Sequence, residues 1–168
     1  TVVATVPLGT FPQGVGVNPA TNRIYVVNQG SNTVSVIDGT SNTVITTVPV
    51  GNSPGYVDVN PTTNYIYVAN YFGNTVAVID GTDNTIADTV PVGVNPFGVG
   101  VNPTTNRVYV ANSNDDTVMV LQGEVHGPGY ASAPMAGSTL NVGKVKVGSP
   151  VTTALTISEI GNATLNVI

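Results

Sequence analysis

Several kinds of chemistry are absent from this sequence before any pattern is sought. It has no cysteine, so it can form neither disulfides nor thiolate metal sites. It has one histidine, His126, which rules out histidine clusters and leaves a Ser/His/Asp arrangement nearly without material. No apolar run approaches the roughly 20 residues of a membrane-spanning helix, and no segment shows a helical period. Charge is scarce as well: 8% of residues, with a net of −5. That balance argues against nucleic acid and against an anionic membrane face as partners. The surface of such a chain must be covered by Asn, Thr, Ser and Gly. With 41% hydrophobic residues in 168, there is still enough apolar material for a sizeable core.

What the sequence does contain is a repeat. Asn22-Arg23-Ile24-Tyr25-Val26-Val27-Asn28 returns as Asn64 to Asn70 and again as Asn106 to Asn112, a step of 42 residues each time. Each copy is followed by an alternating stretch, Thr33-Val34-Ser35-Val36-Ile37-Asp38 in the first, and each is preceded by a Gly-containing apolar stretch ending in Asn-Pro. A fourth β-branched stretch, Thr43-Val44-Ile45-Thr46-Thr47-Val48-Pro49, recurs at Thr85 and also opens the chain as Thr1-Val2-Val3-Ala4-Thr5-Val6-Pro7. Alternation, β-branched residues and Gly/Pro punctuation read as strands. Glycines such as Gly14 and Gly16 suit an innermost strand where backbones approach closely. Four short antiparallel strands per unit of this length describe one blade of a β-propeller.

The motifs Tyr25-Val26-Val27-Asn28, Tyr67-Val68-Ala69-Asn70 and Tyr109-Val110-Ala111-Asn112, with their flanking Asn-Pro-x-Thr-Asn and Asn-Thr-Val-x-Val-Ile-Asp, resemble the YVTN family of propeller repeats. That resemblance covers residues 1 to 123 and implies a surface-layer or secreted protein. After Gly123 the repeat stops, so the third blade lacks its fourth strand. The strand at the N-terminus is of the type that is missing, which suggests closure by strand exchange. Three blades fall below the usual four to eight, so we expect further blades in a longer chain or blades lent between chains.

Residues 124–138 are small and rich in Pro and Gly, as a linker is. Residues 139–168 alternate again, with Gly and Pro between strands, and suggest part of a β-sandwich. Leu140-Asn141-Val142-Gly143-Lys144-Val145-Lys146-Val147-Gly148 resembles the start of Ig-like modules of the ASH/choice-of-anchor type, although Val142 stands where Phe is usual. The expected fold is therefore all-β: four-stranded propeller blades of 42 residues over 1–123, a linker over 124–138, and a partial Ig-like β-sandwich over 139–168.

Candidate chemistry is thin. Asp38 and Asp80 precede Gly at equivalent strand ends, where Asp caps a turn. Asp80-Gly81-Thr82-Asp83-Asn84 and Asn114-Asp115-Asp116 offer too few oxygens for calcium. Tyr25, Tyr67 and Tyr109 recur with the period and should pack between blades. Tyr71 and Phe72 occupy a loop that is polar in the other copies, which makes them candidates for a partner or ligand contact. Asn162-Ala163-Thr164 is a glycosylation sequon, with Asn162 as acceptor. No residue is assigned to catalysis, to a cofactor or to a metal.

These readings lead to an expectation of a non-enzymatic structural or adhesive protein of a cell surface, sheath or filament. Its partners would be copies of itself in an oligomer or polymer, further domains of the same chain, or glycans. The rival expectation is a secreted or periplasmic propeller enzyme of lactonase or quinoprotein type with its site in other blades. A glycan- or protein-binding propeller is the third.

Overall fold

The computed structural model describes residues 1–123. The linker, the Ig-like part, His126 and Asn162 lie outside the described residues. Within residues 1–123 there are eleven strands in three antiparallel sheets. The first sheet is β1 (Pro12–Asn18), β2 (Arg23–Asn28), β3 (Thr33–Asp38) and β4 (Thr43–Pro49), hydrogen-bonded in that order. The second is β5 (Pro54–Asn60), β6 (Tyr65–Asn70), β7 (Thr75–Asp80) and β8 (Thr85–Pro91). The third is β9 (Pro96–Asn102), β10 (Arg107–Asn112) and β11 (Thr117–Gln122). These are propeller blades, stacked face to face in chain order.

The turns between strands are set by asparagine. Asn22, Asn32, Asn42, Asn64, Asn74, Asn84 and Asn106 all adopt positive φ, as does Asp116 in the last blade. Asn and Asp enter this left-handed region at lower cost than other side chains, because a short polar side chain can hydrogen-bond locally. The Asn-Pro turns carry a second device. The Asn18 carboxamide oxygen accepts the Ala20 N–H at 3.0 Å, and that of Asn60 accepts the Thr62 N–H at 3.0 Å. The amide nitrogens of the same residues reach forward to the next blade: Asn18 donates to Asn64 Oδ1 at 2.7 Å and Asn60 to Asn106 Oδ1 at 2.9 Å. One buried side chain thus shapes its own turn and fastens the neighbouring blade. Conserving both partners at a spacing of 46 residues is what a strict 42-residue repeat achieves.

Adjacent blades bury two apolar layers. Between the first and second blades lie Tyr25, Val27, Val34 and Val36 from one side and Val57, Val59, Ile66, Val68 and Ile79 from the other. Between the second and third lie Tyr65, Tyr67, Val76 and Val78 against Val108 and Val110. Because side chains alternate along a strand, one face of each sheet serves the previous blade and the other serves the next. The inner strands come closest. A Cβ placed on Gly14 would lie 2.8 Å from Gly55 O and 3.1 Å from Tyr56 Cα, so only glycine lets β1 and β5 approach to this distance.

One predicted strand does not form. Residues 1–8 are not in a strand, and Val2 and Val3 are 83% and 92% exposed. A fourth-type strand takes its hydrogen bonds from a third-type strand. β3 and β7 already pair with β4 and β8, while β11 pairs with β10 only. The segment is held beside the first blade instead, since Thr10 O and Phe11 O accept the Gly30 and Gln29 amides. The closure by exchange expected between the N-terminal stretch and the third blade is therefore absent from the described residues.

Candidate functional site

Where a repeat departs from its own pattern, the departing residues are not needed for the repeat. Aligning the three copies at their 42-residue step exposes several such places, of which four concern the inner strands and the loops beside them. The inner-strand glycines Gly14 and Gly98 are replaced by Tyr56 in the second blade, and Gly16 and Gly100 by Asp58. Gln13 and Gly55 are replaced by Phe97 in the third. The loops Gln29-Gly30-Ser31 and Ser113-Asn114-Asp115 correspond to Tyr71-Phe72-Gly73.

The fold brings three of these departures, Tyr56, Phe97 and the Tyr71-Phe72 loop, to one end of the blades. The segment before each inner strand hydrogen-bonds to the loop between the second and third strands of the same blade, at 2.9 Å from Gln29 N to Phe11 O, 2.9 Å from Tyr71 N to Ser53 O and 3.0 Å from Ser113 N to Asn95 O. Tyr71 stacks edge-on against Phe72 with ring centres 4.9 Å apart and meets Phe97 edge-on at 6.2 Å. Phe97 in turn lies 4.8 Å from Tyr56. Tyr71, Phe72, Phe97 and Pro96, together with Gln29, Ser53 and Gly55, line a cleft of about 160 Å³. Its polar edge is the Gln29 amide, which donates to the Ser53 hydroxyl at 3.2 Å. No Asp, Glu, Lys or Arg lines it.

Tyr71 and Phe72, predicted from their loop alone, are thus two walls of a larger aromatic cluster. Tyr56, Phe97 and Asp58 escaped a reading made along the chain, but reading down the columns of the repeat finds all three. Asp58 is the one charged residue on the inner strands β1, β5 and β9. Its Oδ2 accepts the Val101 N–H of the next blade at 2.7 Å, and its Oδ1 accepts the Val59 N–H at 2.8 Å. Both bonds fix the carboxylate on the inner edge of the blades.

Four other acids serve turns and loops. Asp38 Oδ1 accepts the Thr40 and Ser41 amides at 2.8 and 2.9 Å, and Asp80 Oδ1 accepts the Thr82 amide at 2.7 Å. The Ser41 amide, the Arg23 guanidinium paired with it, and the Thr40 amide together lower the Asp38 carboxyl from its ordinary 3.8 to about 2. Asp83 accepts the Thr85 amide and Asp115 the Val94 amide. Among the described residues no three metal-binding side chains cluster. Tyr25 and Tyr67 are buried between blades, at 0% and 1% exposure, and burial raises the Tyr25 phenol above its ordinary value. Tyr109 is 40% exposed, because no blade among the described residues packs on that face.

Residues 1–92 match the model of a family described as lactonase, 7-bladed beta-propeller. The chain belongs to that family. Solved structures with the same fold include hydrazine synthase from Kuenenia stuttgartiensis, 24% identical with a TM-score of 0.63, over 73% of this chain and 36% of that one. Another is a putative 6-phosphogluconolactonase from Bacteroides fragilis, 20% identical with a TM-score of 0.61, over 71% and 36%. At these identities the likeness concerns the fold. A stretch of 33 residues, 20% of this chain, is 73% identical to the PE-PGRS family protein PE_PGRS18 of Mycobacterium tuberculosis and covers 7% of it. The chain spans about a third of the solved chains it resembles and a small fraction of that relative.

Membership of a lactonase family overturns the expectation of a non-enzyme. The expectation rested on catalytic groups counted over three blades, whereas the family is described as seven-bladed. An absence of histidine from part of a ring carries little weight against that.

Proposed function

We propose that this chain forms part of a propeller hydrolase that opens lactone rings. The observation that carries the reading is the family match over residues 1–92. The geometry that supports it is the placing of one carboxylate, Asp58, on the inner strands, where side chains of successive blades converge. In the reaction, water adds to the lactone carbonyl carbon and the ring C–O bond breaks. The ring oxygen leaves as a hydroxyl and the product is a hydroxy acid. Asp58 takes the proton from the attacking water and returns it to the leaving oxygen, a role within the reach of a positioned carboxylate. Donors that stabilise the oxyanion come from other blades of the ring.

We place the protein outside the cytoplasm, on the bacterial or archaeal surface or in secreted form. Support comes from the resemblance to YVTN repeats and the Asn/Thr-rich, charge-poor surface. The blades that complete the ring belong to a longer form of the same chain or to a second copy.

The full-length protein, incubated with γ- and δ-lactones at constant pH, should release one proton for each ring opened. Asp58→Asn should slow that release by about 100-fold or more. If no lactone is hydrolysed, the proposal fails. If hydrolysis survives Asp58→Asn unchanged, the activity stands and the assigned base is wrong.

A further inference from the structure

All three phenylalanines of the sequence, Phe11, Phe72 and Phe97, are exposed, at 73%, 65% and 53%. A residue that ordinarily fills cores is here absent from the core clusters. The three rings also share one end of the molecule. Phe72 and Phe97 belong to the aromatic cleft, and Phe11 lies over the loop of the first blade, where a Cβ on Gly30 would meet its ring at 2.7 Å. Each sits in a different blade, in the order Phe11, Phe72, Phe97. The other copies of the repeat manage at these positions with Ser53 or Asn95, with Gly30 or Asn114, and with Gln13 or Gly55. Folding therefore does not require the rings.

Phe11 adds a second observation. Its φ is 51°, a left-handed conformation that is a genuine outlier for a bulky residue. Asn95 holds the same place in the third blade with φ 53°, as Asn does at modest cost. A strained, exposed ring kept where Asn would fit better is the kind of outlier that points from structure to function.

We propose that this face binds a neutral oligosaccharide, with the rings as stacking platforms for successive sugar units. The chemistry of the face selects that class. No Asp, Glu, Lys or Arg lines the cleft, so a phosphate or other anionic group finds no counter-charge there. The Gln29 amide and Ser53 hydroxyl at its edge offer the neutral donors and acceptors that sugar hydroxyls use. A cleft of about 160 Å³ is smaller than the roughly 300–1,000 Å³ of sites that enclose a ligand. It accommodates one ring of a longer molecule whose neighbours lie across the exposed phenylalanines. The site is separate from Asp58 and does not depend on lactone hydrolysis.

The test is affinity electrophoresis of the full-length protein in native gels containing dextran, laminarin or hydroxyethylcellulose. At least one polymer should retard the wild type, and Phe72→Ala and Phe97→Ala should each weaken retardation tenfold or more while the all-β circular dichroism spectrum and cooperative melting are kept. Phe11→Asn should weaken it while raising the melting temperature, because it removes the backbone strain. Failure of every polymer to retard the wild type overturns the proposal, as does equal retardation of the variants. Binding of the wild type to phosphatidylcholine vesicles, or self-association abolished by Phe72→Ala, in either case without retardation by sugar polymers, assigns the face to lipid or to a second copy and also overturns it.

Discussion

The second and third blades carry nearly the same central strand, Tyr65-Ile66-Tyr67-Val68-Ala69-Asn70 against Arg107-Val108-Tyr109-Val110-Ala111-Asn112. Every residue of the first is buried, whereas the second alternates between exposed and buried. Both strands have two hydrogen-bonded neighbours in register. The difference therefore arises from packing between sheets and not from pairing within them. A blade is a sheet apolar on both faces, and its burial is completed by whatever stacks on each side. Identical side chains then contribute very different amounts of stability, according to their place in the array.

That contrast is broken most directly at the tyrosines. Tyr67→Ala should destabilise by about 3–5 kcal/mol, since it removes a fully buried ring and leaves a cavity between blades. In the 168-residue chain Tyr109→Ala should cost about 1 kcal/mol or less, as expected for a ring with a large part already in water. Urea denaturation of both variants measures the ratio. Equal losses would mean that Tyr109 is covered in solution by a further blade, from this chain or another.

A second contrast lies on the inner strands. Gly14→Ala should destabilise by about 1–3 kcal/mol, because its methyl would press on the Gly55 carbonyl and the Tyr56 backbone, which cannot rotate away. The same substitution at Gly98 meets only the Ala111 Cβ at 3.8 Å and should leave stability within about 0.5 kcal/mol. Comparable losses at both would show that a further blade approaches Gly98 as closely as the second blade approaches Gly14.

The loop comparison is milder. Replacing Tyr71 by Ser and Phe72 by Gly gives the second blade a polar loop like its neighbours. The fold should persist, with a loss of about 1 kcal/mol for the ring contacts with Phe97. Loss of folding would place these rings in the core of the blade.

The period of 42 residues, the strand boundaries and the burial of Tyr25 and Tyr67 were all legible in the sequence. Each rests on a local pattern multiplied by repetition. Three features were not. The strand expected at Thr1 has the right residues, but a strand is made by its partner, and the N-terminal stretch lies beside the first blade, not along the open edge of β11. The exposure of Tyr109 is invisible in a residue that repeats faithfully. The aromatic cleft was half visible, because Tyr71-Phe72 is a contiguous anomaly. Tyr56 and Phe97 are 41 residues apart and belong to one cluster only after two blades stack. Asp58 went unremarked for the same reason: a lone Asp in a strand means little until its strand is known to be the innermost.

The smallest expected effect concerns acid. The first blade pairs Arg23 with Asp38 across β2 and β3, while the third sets Arg107 opposite Gln122 at the same position. The Asp38 carboxyl is lowered from 3.8 to about 2, chiefly by the Ser41 amide and then by Arg23 and Thr40. A lowered carboxylate favours the folded state above its unfolded value, and that contribution fades as pH falls from about 4 through about 2. Because the group is open to solvent, the effect is modest and weakens with added salt. Asp38→Asn should thus flatten the fall in melting temperature between pH 5 and pH 2, with the variant and wild-type curves converging at the acid end. Gln122→Asp should steepen the fall by giving the third blade the same pair. If Asp38→Asn leaves the slope unchanged, the ion pair and its turn contribute nothing that depends on charge, and the first and third blades are equivalent at this position.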